Sequence, residues 1–300
     1  MSDVLPEVAV VGVGRLSRPM VVRLRRARYG VTVTNRTRER ALNVAAETGA
    51  QVADSPREAA SSADIVIVSL ADDTAVHDVY HGSDGLLAGL RPGTTVLETS
   101  TISPRTVMSL VPHVLEREAV LLDTPVSGSV ELAARGELTV LAGGPGEALA
   151  RVRPVVDILA TRVLHFGDSG RGSTMKLVIN SLLLSLATAL AESLVLAECA
   201  GIGRADAYDA FMQSAAAAPF VLYNRENFVR PREAATHMTL TLVAKDLSLI
   251  DALASSVGAP MAQLEASRGL IDQALAAGLG DRDGSVLAEF LRHTAAAQAG

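Results

Sequence analysis

Gly170-Arg-Gly-Ser-Thr-Met-Lys176-Leu-Val-Ile-Asn180 separates two kinds of sequence in this 300-residue chain. It is a glycine-rich turn running into a long apolar segment. Before it, short β-branched runs alternate with helical patterns; after it, only helical patterns occur. Lys176 and Asn180 are four residues apart and share a face of the helix this segment predicts. An ammonium and a carboxamide therefore point the same way from an otherwise apolar rod. The stretch reads as the boundary of two domains, 1–168 and 169–300, with the chemistry at the join.

Working back from that boundary, Val8-Ala-Val-Val11 is a fully apolar run, the mark of a strand buried on both faces. It ends in Gly12-Val-Gly14-Arg-Leu-Ser17, a helical pattern follows to Arg28, and Val31–Thr34 is the next strand. This has the length of a βαβ crossover. The alternation continues with a helix over 38–48, a capping box at Ser55-Pro-Arg-Glu58, and strands at Ile65–Leu70, Thr94–Glu98, Ala119–Asp123, Leu138–Ala142 and Val163–Phe166. Residues 82–93 read as loop. Such an order predicts an α/β fold with a doubly wound, mainly parallel sheet. Working forward, helices are expected over 173–200, 205–216, 239–257, 261–277 and 286–294, with 220–232 irregular and 295–300 frayed. The second half is all-α, joined to the first by the long helix.

The totals narrow the function. A formal net charge of -6 argues against a nucleic-acid surface, and the arginines at 15, 18, 23, 25, 26 and 28 read as a solvated helix face able to assist with phosphates. Cys199 is the single cysteine, so no internal disulfide is possible and a reducing, cytoplasmic setting is expected. The start, Met-Ser-Asp-Val-Leu-Pro-Glu, does not resemble a signal peptide. The most apolar window, Leu182–Leu196, is interrupted by Ser185, Thr188, Glu192 and Ser193 and reads as a buried helix, not a membrane span. The six histidines are scattered and form no metal-ligand pattern.

Five sets of residues carry chemistry. Gly12, Val13, Gly14, Arg15 and Leu16, closed by the small Ser17, follow a strand and open a helix. There the first glycine permits a tight turn and the second lets a pyrophosphate approach a helix N-terminus. Asn35-Arg36-Thr37 ends the second strand without the acid that would hold a ribose 2′-hydroxyl. A guanidinium there suits a 2′-phosphate and favours NADP over NAD. Leu70-Ala71-Asp72, Ser100-Thr101 and Ser127-Gly128-Ser129 end three further strands on the same sheet edge. The last of these offers N–H groups and hydroxyls to an anionic substrate, although each is also an ordinary turn sequence. Lys176 has two readings from spacing alone: a desolvated proton donor, or a lysine snorkelling from a helix start. Lys245-Asp246 interrupts an apolar helix, and neighbours about 100° apart need not pair with each other.

Together these motifs resemble the β-hydroxyacid dehydrogenase family, 3-hydroxyisobutyrate dehydrogenase and its relatives, over nearly the whole chain. The resemblance rests on Gly12-Val-Gly14, Pro19-Met20, Asn35-Arg36-Thr37, Glu98-Thr-Ser100-Thr101, Asp123-Thr-Pro125-Val-Ser127-Gly128-Ser129, Lys176 with Asn180, Lys245-Asp246-Leu247 and Gly278-Leu-Gly280-Asp281-Arg-Asp283-Gly-Ser285. The lysine helix and the Ser127–Ser129 loop look most like the glyoxylate and succinic semialdehyde reductase branch. The resemblance implies a Rossmann-type domain followed by a helical domain of the 6-phosphogluconate dehydrogenase type, forming homodimers or homotetramers through the helical half. It implies Lys176 as acid/base, Ser127 and Gly128 on a substrate carboxylate, Asn180 on substrate, and Thr101 and Lys245 on the cofactor. The sequence departs from the pattern at Leu16-Ser17, where Met-Gly is usual, and at Ser129 and Leu132, which replace common glycines. The expected activity is NADP-dependent hydride transfer to or from a small semialdehyde or 2-oxo acid. Imine reduction is an alternative on the same architecture, although many imine reductases put Asp or Tyr at the position of Lys176. A catalytically silent NADP-binding scaffold is another, and substrate specificity is placed in 215–237, with Phe220, Tyr223 and Phe228 as candidates.

Overall fold

A computed structural model describes residues 5–231, 233 and 236–299. Residues 1–4, residues 232, 234 and 235 of the irregular stretch, and Gly300 lie outside the described residues. In chain order the first part contains β1 (Val8–Val11), α1 (Ser17–Arg26), β2 (Val31–Thr34), α2 (Arg38–Thr48), β3 (Gln51–Val52), α3 (Pro56–Ser61), β4 (Ile65–Val68), α4 (Asp73–His81), α5 (Leu86–Gly89), β5 (Thr95–Glu98), α6 (Pro104–Leu115), β6 (Val120–Asp123), β7 (Val126–Ser127), α7 (Val130–Arg135), β8 (Leu138–Ala142), α8 (Gly146–Leu159) and β9 (Ala160–His165). Then come α9 (Arg171–Cys199), α10 (Arg204–Met212), α11 (Pro219–Tyr223), α12 (Arg225–Val229), α13 (Leu240–Val257), α14 (Ala262–Ala276) and α15 (Leu287–Ala299). The chain forms two compact units, Met1–Lys176 and Leu177–Gly300, so the division falls within α9.

The first unit is built on a six-stranded parallel sheet of order β3-β2-β1-β4-β5-β6. Alternation along each strand feeds two separate cores. Val8, Val10, Val31, Val33, Ile65 and Ile67 face one layer with Met20, Val21 and Leu24 of α1. Ala9, Val11, Val66, Val68 and Val96 face the other, with Val107 and Leu110 of α6. Covering both faces is what makes these strands read as continuous apolar runs. The strand order reverses between β1 and β4, which opens a crevice beyond their carboxyl ends.

Several expectations change. The later strands do not extend the main sheet: β7, β8 and β9 form a separate three-stranded sheet, with β7 antiparallel to β8. Pro125 lacks an N–H, and the chain turns back after β6 instead of crossing over. The capping box closes one residue early, since Ser55 accepts from Glu58 N but Glu58 Oε2 accepts from Asp54 N at 2.6 Å. Residues 82–93 contain α5, and the irregular stretch contains α11 and α12. The C-terminal helix does not fray at 295 but continues to Ala299.

The second unit has its own core, in which Leu177, Leu184, Ala191 and Leu194 of α9 meet Tyr208, Phe228, Leu247 and Ile250. The window 182–196 is not wholly buried, however. Leu182 is 75% and Leu196 72% exposed, because they lie off that stripe. By length and mean hydropathy (1.7) α9 could also cross a membrane.

Candidate active site

The β1–α1 turn is braced from inside the chain. Gly12 has φ +90°, and a Cβ there would lie 2.2 Å from the Ser69 carbonyl oxygen, so only glycine fits where β1 passes the end of β4. Ser17 is completely buried; its hydroxyl donates to Gly12 O at 2.7 Å and accepts from Gly14 N at 2.8 Å. Asn35 joins the brace: its Oδ1 accepts from Val13 N at 3.0 Å and its Nδ2 donates to Thr37 O at 3.0 Å. Arg15, Arg36 and Thr37 are exposed and Leu16 is half-buried. No side chain caps the start of α1.

Beyond β4 and β5, Leu70 N donates to Ser100 Oγ at 2.8 Å, and Ser100 N donates to Glu98 Oε1 at 2.9 Å. Glu98 is completely buried, and the Tyr80 hydroxyl donates to its Oε2 at 3.0 Å. Burial pushes the Glu98 carboxyl up from 4.5 to about 7, against the lowering effect of the Ser100 and Tyr80 hydrogen bonds. Ala71 is exposed and Thr101 half-buried on this edge.

Asp123 ends β6 with no exposed surface. Its Oδ1 accepts from Gly170 N at 2.9 Å and its Oδ2 from Ser173 N at 2.8 Å. Those are N–H groups of the turn and first residues of α9, which lack intrahelical partners. Burial raises the Asp123 carboxyl pKa, opposed by these hydrogen bonds. Four residues on, Ser127 is half-buried and Gly128 exposed. Ser129 differs from expectation: its hydroxyl is not free but caps α7, accepting from Leu132 N at 3.3 Å. Leu132 packs against the first core beneath that loop. Lys176 is half-buried in the second turn of α9.

In the second unit Asn180 is 4% exposed, and its Nδ2 donates to Asp246 Oδ2 at 2.7 Å. Its Oδ1 is buried without a hydrogen-bond partner among the described residues. Lys245 and Asp246, which helix spacing alone does not require to pair, lie with Nζ 2.8 Å from Oδ1. The lysine stem is long enough to fold back along the helix surface. Of the aromatic candidates, Phe228 is 2% exposed and belongs to the core, while Tyr223 is 40% exposed. The histidines are not all scattered. His77, His81 and His113 cluster at the far end of α4 and α6, with ring centroids 4.8 and 5.0 Å apart. Among the described residues no group of three or more His, Cys, Asp or Glu could hold a metal ion.

Four positions carry roles the sequence does not mark, among them Asp123, which stands there only as the start of a substrate-type motif. Ser17 counted there only as a small residue, Glu98 only as part of a motif, and Asp246 only as a neighbour of Lys245. For Asp246, an acid within an apolar helix was the available signal; nothing local marks the partners of Glu98.

Comparison with known proteins agrees with this architecture. Residues 7–167 match the NAD-binding domain of 6-phosphogluconate dehydrogenase, and residues 170–291 match the domain described as NAD-binding of NADP-dependent 3-hydroxyisobutyrate dehydrogenase. The chain is 33% identical to an NAD-dependent L-serine dehydrogenase of Pseudomonas aeruginosa, covering 97% of this chain and 99% of that one. It is 33% identical to a 3-hydroxyisobutyrate dehydrogenase of the same organism, covering 85% and 87%. The crystal structure of a 3-hydroxyisobutyrate dehydrogenase from Salmonella typhimurium superposes with TM-score 0.88 at 27% identity, covering 95% of this chain and all of that one. An imine reductase from Pseudomonas sp. shares the fold at TM-score 0.64 and 22% identity, covering 94% and 98%. A nucleotide-type crevice at the strand-order reversal, a separate helical unit and matches along nearly the full length place the chain in the β-hydroxyacid dehydrogenase family, as an NAD(P)-dependent oxidoreductase of the 3-hydroxyisobutyrate dehydrogenase type.

Proposed function

We propose that this enzyme transfers hydride between NADP(H) and a small carbonyl or hydroxy acid, of the semialdehyde or 2-oxo acid type, with Lys176 as general acid/base. The observation that supports this is the carboxyl edge of the main sheet. It carries the Gly12–Ser17 turn and the Leu70–Ser100 pair, and Asp123 at the end of β6 ties the start of the lysine helix to it, while Ser127 follows four residues on in β7 of the smaller sheet. The crevice fits a dinucleotide because a braced glycine turn leads into α1, whose first turn no side chain caps. Gly12, Val13, Gly14, Arg15 and Leu16 would hold the pyrophosphate, and Leu70, Ala71 and Thr101 the nicotinamide half. Asn35 positions the turn, and Arg36 and Thr37 meet the ribose 2′-phosphate; Arg36 with no acid beside it supports NADP over NAD. The nicotinamide supplies or accepts the hydride.

The chain's own groups do the rest. Ser127 and Gly128 hold the substrate carboxylate, and this remote binding orients the reacting carbon. Lys176 gives a proton to the developing alkoxide in reduction and takes it back in oxidation. Asn180, held by Asp246, positions the substrate from the same helix face as Lys176. Lys245, fixed by Asp246, serves the cofactor. Ser129 supports the loop as a helix cap rather than as a substrate ligand. The enzyme works in the cytoplasm, and it assembles as a homodimer or homotetramer through the helical unit, an assembly supported by Leu182 and Leu196 on the exposed side of α9.

The test is NADPH and NADH consumption over semialdehydes, 2-oxo acids and cyclic imines, with hydroxy acids in reverse, for wild type and Lys176→Ala. The variant is expected to lose about 10²–10⁴-fold in carbonyl turnover. Undiminished turnover would remove the lysine from the mechanism. Activity on cyclic imines alone would replace the carbonyl substrate, and cofactor binding without any turnover would leave a silent scaffold.

A further inference from the structure

We infer that Asp123 is the positioning residue for the acid/base lysine. Its carboxylate anchors the start of α9 on the end of β6 and so sets Lys176 against the substrate loop. The inference rests on the proposed role of Lys176 and adds what holds it.

The junction is built without slack. Both Asp123 oxygens are occupied, one by Gly170 N and one by Ser173 N, which bracket the first turn of the helix. Its backbone is occupied too: Asp123 O accepts from Gly143 N at 2.8 Å, and Asp123 N donates to Gly143 O at 3.2 Å. A Cβ on Gly143 would lie 2.5 Å from Asp123 Oδ1, and a Cβ on Gly172 would lie 2.3 Å from Leu141 O and 2.7 Å from Asp123 O. Strand β6, the end of β8 and the first turn of α9 therefore meet at backbone contact, with one carboxylate at the centre.

Two consequences follow for the proton transfer. Ser127 lies four residues after Asp123, and Lys176 lies three residues after Ser173 on a continuous helix. The anion-binding loop and the ammonium thus share one fixed reference point, and small errors there fall on the reacting geometry. Asp123 also places negative charge at the positive end of a 29-residue helix. Without that charge, the uncompensated helix end disfavours the nearby ammonium, so Lys176 would lose its proton at lower pH.

The decisive experiment compares wild type, Lys176→Ala, Asp123→Asn and Gly143→Ala in steady-state reduction of the best carbonyl substrate, with pH profiles, cofactor dissociation constants and thermal melting. Asp123→Asn keeps the shape, removes the charge and sets an amide N–H against a backbone N–H. Its kcat is expected to fall about ten- to a hundredfold. Its cofactor dissociation constant should stay within about twofold of wild type. The alkaline limb of its kcat profile should move to lower pH, a displacement that loss of a helix cap alone does not produce. Gly143→Ala keeps the charge and displaces the carboxylate, so kcat falls with the limb in place; it also stands in if the asparagine variant does not fold. If Lys176→Ala is inactive while Asp123→Asn keeps wild-type kcat and an unshifted limb, or Gly143→Ala keeps wild-type kcat, the positioning role is overturned and the lysine role survives. If Lys176→Ala retains full activity, the lysine mechanism fails, and this inference with it.

Discussion

Glu98 offers a test of the first unit's physics that needs no substrate. Its carboxyl is completely buried and pushed up to about 7 from 4.5. Between those values the folded protein holds a proton that the unfolded chain has released. Stability therefore falls as pH rises through this window: the contribution is full below 4.5 and lost as pH passes about 7. At about 1.4 kcal/mol for each pH unit, the loss is about 3 kcal/mol. Glu98→Gln removes the titration. Its Oε1 can still accept from Ser100 N, and its amide can donate to Tyr80 once that hydroxyl turns around. The turning carries a cost, but a pH-independent one, so it offsets the variant's curve without changing its slope. The assay is thermal unfolding of both proteins from pH 4.5 to 9, followed by near-UV circular dichroism. The wild-type melting temperature should fall on the order of 5–10 °C relative to the variant across the range. Parallel curves would show that Glu98 ionises in the folded state as it does in the unfolded one, and the buried-carboxyl account of this edge would be wrong.

Other perturbations separate binding from scaffolding. Arg36→Ala should raise KM for NADPH about tenfold or more and leave KM for NADH nearly unchanged, because a charge-assisted contact to a 2′-phosphate exists with only one of them; steady-state kinetics with both cofactors checks this. Ser17→Ala should weaken both cofactors alike and cost about 1–3 kcal/mol by denaturant unfolding, since Gly14 N is left without the acceptor it has now. Asp283→Ala should destabilise the second unit by about 2–4 kcal/mol, because His237 N, Met238 N and Ser285 N all donate to that carboxylate. Burial works to raise the Asp283 pKa, but the Ser285 hydrogen bonds and its other donors outweigh it and hold the carboxyl below the ordinary 3.8. Its stabilisation is therefore present above that value and lost as pH falls through the lower one, and the variant should lack this acid-side slope.

The parts of the fold that were legible in the sequence are those whose cause is local. Val8–Val11 and Ile65–Val68 are buried on both faces, and a run of β-branched residues shows that without reference to any partner. The helix α7 was equally local, with Ser129 as its cap and Gly136 in the left-handed conformation at its end, yet no element was expected over 130–135. The separate sheet of β7, β8 and β9 was not legible, because its strands look the same whichever sheet they join. Side-chain hydrogen bonds across long sequence distances were hidden for the same reason. In the sequence Asp123 is the first residue of a substrate-type motif, while its partners in the fold are Gly170 and Ser173.

That last case bears on how the lysine is to be understood. On the sequence, Lys176 belongs to a helix and Ser127 to a loop, and only the family pattern joins them. In the fold Ser127 follows one buried carboxylate at the end of β6 by four residues and Lys176 follows that carboxylate's partner Ser173 by three, and at the junction the glycines at 143 and 172 leave no room for a Cβ. Glu98 is the register partner of Asp123 on the neighbouring strand and holds Ser100, which in turn holds Leu70 N. Two adjacent buried acids thus fix the two halves of the edge, one beside the expected cofactor and one beside the expected substrate. A carboxylate placed beneath each half is a costly way to stabilise a sheet, since burial raises both pKa values. It is an effective way to fix backbone N–H groups, because a misplaced donor would leave a buried carboxyl oxygen unsatisfied. The burial that makes these acids poor contributors to stability thus holds in place the edge on which the proposed hydride and proton transfer depends.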